Sequence, residues 1–161
     1  MLLLPEHMID DRLLLISGSE RLVLNETDGQ DTLVGATDVF RYIDSNFKNC
    51  GCDVGGPPTT ETPVRVYELA RDSSFSQMFG SFGLALDSLA LTQAQIKQFV
   101  SRYPGWLKKG GNGTFFLTKV RSEFFVVAVY LFSDGRLGVR LRRLTLGRVL
   151  RAEKRHRLVS R

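Results

Sequence analysis

A chain of 161 residues, 43% hydrophobic and 24% charged, has the composition of one globular domain of ordinary size and not that of a disordered segment. No apolar run is long enough to span a bilayer as a helix, and the leucines after Met1 are followed at once by Pro5 and Glu6, without the basic start and small-residue cleavage site of a signal peptide. The net charge of +5 hides an asymmetry: ten acidic and four basic side chains in the first sixty residues, three acidic and twelve basic in residues 112–161. Such a distribution bears on partners, not on fold.

Taken in order, the apolar start reads as a frayed end or the beginning of a strand. Residues 13–17 and 21–24 are short apolar runs that suggest a small hairpin, and 25–31 is a polar, turn-rich linker. Residues 38–47 fit either a helix capped by Asp38 or an irregular apolar loop. Cys50 and Cys52 lie in the Gly-, Pro- and Thr-rich stretch that follows, read as a loop closing an acidic N-terminal arm over residues 1–62. Two cysteines and two distant histidines, His7 and His156, cannot complete a four-ligand zinc site, and a disulfide across one residue would be strained. The expectation is a pair of reduced thiols in a cytoplasmic protein without metal or cofactor.

Residues 63–161 read as the main domain, with a strand over 64–69. Asp72 or Ser73 is placed to cap a short helix carrying Phe75, Met78 and Phe79, with Gly80 as its stop. The stretch 91–146 organises the rest. Thr92 and Gln95 fit a capping box, Leu91 and Ile96 a hydrophobic staple, and Ile96, Phe99, Val100 and Tyr103 one apolar helical face. Pro104 ends that helix, because Tyr103 before it is biased out of the α region. A glycine-rich turn at 108–113 then leads into a strand at 114–120. The next strand, 123–132, is apolar on both faces, as expected of a central strand. Asp134 and Gly135 signal a tight hairpin. In the following strand Leu137, Val139 and Leu141 alternate with Arg136, Gly138, Arg140 and Arg142, the pattern of a half-exposed strand. Residues 148–152 and 156–159 are two short candidate strands in a basic tail. The fold class read from this order is α+β: an antiparallel meander of three or more strands against one amphipathic helix, preceded by an irregular arm.

Several phrases resemble a family of uncharacterised proteins recurrent in uncultivated candidate-phylum bacteria. They include Glu61-Thr-Pro-Val-Arg-Val-Tyr-Glu68, Met78-Phe-Gly-Ser-Phe-Gly83, Asp87-Ser-Leu-Ala-Leu-Thr-Gln-Ala-Gln95, Glu123-Phe-Phe-Val-Val127 and Asp134-Gly-Arg-Leu-Gly-Val139. The similarity covers residues 38–159 and departs at Ser160 and Arg161, where such sequences carry a valine run and a proline. It implies a single compact module and no activity.

The basic surface is the one functional lead. Arg136, Arg140, Arg142, Arg143, Arg148, Arg151, Lys154, Arg155 and Arg157 are candidates for contact with nucleic acid or another anionic partner, since guanidinium forks bind phosphate bidentately. Two blander accounts compete: ordinary solvation of an exposed strand face, and neutralisation by the acidic N-terminal residues. The 108–113 loop lacks the order of a phosphate-binding loop. Gly-x-Ser-x-Gly is absent, and His156 has arginine neighbours that would depress its pKa, so no catalytic residue is assigned. The expected function is a non-catalytic binding or assembly module contacting a protein partner or a second copy, not a membrane. Nucleic-acid binding through the Arg face is the alternative.

Overall fold

Three apolar strands that alternate or run apolar on both faces demand a sheet, and one amphipathic helix demands a face of that sheet to cover. The computed structural model, which describes residues 8, 9 and 11–161, supplies both. The meander is formed by β6 (Gly113–Val120), β7 (Glu123–Leu131) and β8 (Leu137–Arg143), paired antiparallel in sequence. β7 is interior, as its two apolar faces require. Arg121 and Ser122, both at positive φ, form the tight β6–β7 turn, and Gly135 at φ +83° closes the β7–β8 turn.

The sheet is larger than the meander, and mixed. The earlier strands are β1 (Met8–Ile9), β2 (Leu13–Leu15), β3 (Leu22–Leu24), β4 (Tyr42–Ile43) and β5 (Thr62–Leu69), and the last is β9 (Arg157–Ser160). They run in the order β1-β2-β5-β9-β6-β7-β8-β4, with β3 also on β5. β9 is parallel to β6 and antiparallel to β5, and β4 is parallel to β8. A wholly antiparallel sheet is therefore not what forms. β9 fills the gap between β5 and β6, which run in opposite directions, so a strand between them must be parallel to one of the two.

The N-terminal segment also differs from expectation. β2 and β3 do not form a hairpin with each other. They lie end to end along β5, which pairs β2 through Tyr67–Leu69 and β3 through Thr62–Val64. Ser17 stitches the break, its Oγ accepting from the Val66 N–H at 3.1 Å. The described part of residues 1–62 is not an arm: Leu22, Leu24, Leu33, Phe40 and Phe47 share one buried cluster with Val66, Ile96, Phe99 and Phe116. Residues 38–47 are neither the capped helix nor wholly loop, but turns, β4 and the start of a one-turn helix, α1 (Asn46–Asn49). Cys50 and Cys52 are free thiols, and burial pushes the Cys52 thiol up to about 11, so it behaves as a small apolar side chain. The expectation for Met1 and the leucines after it falls outside the described residues.

Two helices cover opposite faces. α3 (Gln93–Arg102) starts at Thr92, whose hydroxyl accepts from the Gln95 N–H while the Gln95 amide oxygen accepts from the Thr92 N–H. Its Ile96, Phe99 and Val100 are buried on the face bearing Phe116, Val127 and Leu141. α2 (Phe75–Gly80) has a second capping box, at Ser74 and not at Asp72 or Ser73. It buries Phe75, Met78 and Phe79 on the other face, against Phe115, Ala128 and Leu158. Residues 148–152 do not form a strand; Leu150 makes one isolated bridge to Ser73. Among the described residues no helix is long and apolar enough to cross a membrane.

Candidate anion-binding cleft

The hairpin between β7 and β8 sets Ala128 opposite Arg140 and Tyr130 opposite Gly138. Alternation then puts Arg140 and Arg142 on the α2 side of the sheet. The Arg140 guanidinium lies over the Tyr130 ring at 5.4 Å, a cation–π contact that holds it against the sheet. β4 extends the same surface: Tyr42 pairs with Gly138. Gly138 lets an aromatic side chain lie across the strand. A Cβ there would come within 3.0 Å of the Phe132 ring, which meets Tyr42 edge-on at 5.6 Å. Tyr42 is 50% exposed and Phe132 36%, so both rings are open to solvent.

These residues line a cleft of about 880 Å³. A second cavity of about 260 Å³ shares Tyr130, Arg140 and Arg142 with it and continues under the segment after β8. Its further walls include Arg148, Lys154, Asn112 and His156, over a floor of Phe75, Phe115 and Leu150. The Asn112 amide donates to the Lys154 carbonyl at 3.0 Å, and the Gly113 N–H donates to His156 Nδ1 at 3.0 Å, which joins the 108–113 loop to the chain before β9. His156 Nδ1 is thereby an acceptor, and the proton of the neutral ring sits on Nε2. Its pKa lies below the ordinary histidine value, first because the ring is buried, then because Arg148, Lys108 and Lys154 stand near it.

Of the nine basic residues singled out in the sequence, Arg140, Arg142, Arg148 and Lys154 meet around this cleft. Arg136 pairs with Asp134 at 3.5 Å on the hairpin. Arg143 points to the α3 side and pairs with Glu123 at 3.0 Å. Arg157 is also on that side, its guanidinium donating to the Trp106 carbonyl at 2.9 Å. Arg151 and Arg155 are exposed in the turn around residues 152–154 and line neither cavity. The acidic N-terminal residues do little to neutralise this surface. Asp11 pairs with Arg71, and Asp31 and Asp38 with Lys97. Among the described residues only Asp44 reaches the basic C-terminal part, 4.0 Å from Arg142.

Tyr42, Tyr130 and Phe132 were not singled out by sequence. The Asp-Gly hairpin register would have brought Tyr130 beside Arg140, but nothing local announces that Tyr42 pairs with β8. No protein-family profile, no curated protein and no solved structure matches this chain.

Proposed function

We propose that this protein is a non-catalytic binding module whose ligand is single-stranded nucleic acid, held in the Arg140 cleft. What carries the reading is one coincidence: Arg140, Arg142, Arg148 and Lys154 converge where Tyr42 and Phe132 stand exposed. Cations track a phosphate backbone, and open aromatic rings stack on bases irrespective of sequence. A protein partner needs the first feature only if it is acidic, and does not need the second arranged around it. His156, the one histidine at the cleft, has one nitrogen occupied by the Gly113 N–H and no carboxylate among its hydrogen-bond partners, which favours binding over acid–base chemistry.

The test is a fluorescence polarisation titration with short single-stranded DNA and RNA at low and at physiological salt. Binding should persist at physiological salt, with log affinity falling by about 0.7 per phosphate contact for each unit of log salt. Arg140→Glu with Arg148→Glu should reduce affinity by about 100-fold or more, since both side chains are exposed and each loses a charge-assisted contact. Arg136→Glu, already paired on the hairpin, should change it little. A folded double variant that binds as the wild type does sinks the reading. An acidic peptide that competes as well as the oligonucleotide would replace it with a protein-partner function.

A further inference from the structure

The two parts of the cleft differ in chemistry. The outer part carries the aromatic rings Tyr42 and Phe132, and two carboxylates, Asp44 and Asp134. The inner part is lined by Arg140, Arg142, Arg148 and Lys154, and no Asp or Glu lines it. The inner part is also the more enclosed of the two. Phe75, Phe115 and Leu150 are buried beneath it, and the Asn112–Lys154 and Gly113–His156 hydrogen bonds join the two loops that wall it.

We infer that the inner cavity is a site for a terminal phosphomonoester, so that the protein holds the phosphorylated end of a single strand and not its middle. The inference rests on the nucleic-acid reading of the cleft and deepens it. Four cations gathered around a part-enclosed cavity repel one another, and a dianion among them relieves that repulsion while a neutral hydroxyl does not. A terminal phosphate carries close to two negative charges and three acceptor oxygens, whereas a phosphodiester carries one charge. The guanidinium of Arg140, held against Tyr130, and that of Arg148 supply forked donors, Lys154 supplies a point charge, and His156 has Nε2–H left to donate. The outer part suits the adjoining nucleotide: Tyr42 and Phe132 offer ring faces and edges to a base. Asp44 and Asp134 discourage a second phosphate there. Asp44 is fixed in that place, its Oδ2 accepting from the Leu141 N–H at 3.1 Å and its Oδ1 from the Asn46 N–H at 3.0 Å.

The experiment is competition against an internally labelled single strand by unlabelled strands of one sequence ending in 5′-phosphate, 3′-phosphate or hydroxyl at both ends, with inorganic phosphate as a further competitor. One phosphorylated end should compete about tenfold better than the hydroxyl-ended strand, the size of one charge-assisted hydrogen bond. Lys154→Gln should abolish that preference, weakening the phosphorylated strands by about tenfold more than the hydroxyl-ended one. Lys154 is exposed, and it is its backbone carbonyl that serves Asn112, so this variant keeps the fold. His156→Gln should weaken the preference as a second check. Equal competition by all three strands overturns the inference while leaving the nucleic-acid reading intact. Inorganic phosphate competing as well as the phosphorylated strand, mole for mole, would make the cavity a free-phosphate site and overturn the inference as stated. Failure of every strand to bind overturns both.

Discussion

Two neighbouring rows of side chains cross the sheet, one on each face. On the α3 side the row is Val66, Val159, Phe116, Val127 and Leu141; on the α2 side it is Tyr67, Leu158, Phe115, Ala128 and Arg140. The first is apolar from end to end and covered throughout by α3 and the N-terminal segment. The second is apolar through four strands and then ends in an exposed arginine. The strands that build the two rows are the same, so the difference cannot come from β propensity. It comes from cover: α3 has ten residues and a long N-terminal segment to help it, whereas α2 has six, helped by Leu150 and by Phe82, Leu86 and Leu89, of which Phe82 packs on Tyr67. Where cover runs out, the chain places a cation over a tyrosine, and a cleft results.

The largest effect should come from opening the closed row. Phe116 is fully buried and meets Phe99 edge-on at 5.5 Å. Phe116→Ala should cost about 3–5 kcal/mol in a denaturant titration, through lost transfer energy and the cavity left behind. Arg140→Leu makes the converse change, extending the open row as the closed one is built. Unfolding free energy should stay within about 1 kcal/mol of wild type, because the side chain is exposed and leucine replaces a cation–π contact with apolar cover. Nucleic-acid affinity should nonetheless fall. A stability loss at Arg140 as large as at Phe116 would mean that the two rows do the same work.

The aromatic edge of the open face comes next. Tyr42→Ala and Phe132→Ala should each weaken single-strand binding by about 1–3 kcal/mol if a base stacks there. Each should cost about 1 kcal/mol of stability, the worth of their mutual edge-to-face contact. Parallel titrations of binding and unfolding separate the two. If both variants lose stability but bind normally, the rings belong to the sheet edge alone.

The closed face was largely legible in the sequence, and the open one was not, for one physical reason. Signals that act over a few residues can be read from one chain. Thr92 and Gln95 are three apart, the stripe from Ile96 to Tyr103 lies on one helix, and Asp134 with Gly135 fixes a hairpin whose register follows by counting. The open face depends on pairings between distant segments. Tyr42 stands opposite Gly138, and β9 enters between β5 and β6, with no local pattern to announce either. Lysine and arginine could be counted, but the parity that sends Arg143 and Arg157 to the other side needs the strand ends. Leu22, Leu24, Leu33, Phe40 and Phe47 carry no local sign of burial, because their partners are in elements far along the chain.

A smaller effect tests whether α3 acts through cover alone. Thr92→Ala removes the cap hydrogen bond to the Gln95 N–H and should cost about 1 kcal/mol. Affinity for single strands should not change, because Thr92 lies on the closed side. A change in affinity would show that the two faces communicate through the strands between them.

The last prediction is a slope and not a loss of contact. His156 has a folded-state pKa below its ordinary value of 6.5, chiefly through burial and then through Arg148, Lys108 and Lys154. Arg140 and Arg142 line the same cavity and add to the same positive field. Well above pH 6.5 the ring is neutral in both folded and unfolded chains, so it contributes no pH dependence there. As pH falls below 6.5, the unfolded chain takes up a proton that the folded chain resists, so stability falls until the folded-state pKa is passed. The wild type should therefore lose stability relative to His156→Gln between pH 6.5 and that lower value, and run parallel to it above. Urea titrations of the two proteins across pH 5 to 8 measure the difference. A dianion in the cavity offsets the surrounding positive charge and favours the imidazolium, so saturating sulfate, which stays doubly charged over this range, should flatten the slope. A slope that sulfate leaves unchanged would place the anion elsewhere than beside His156.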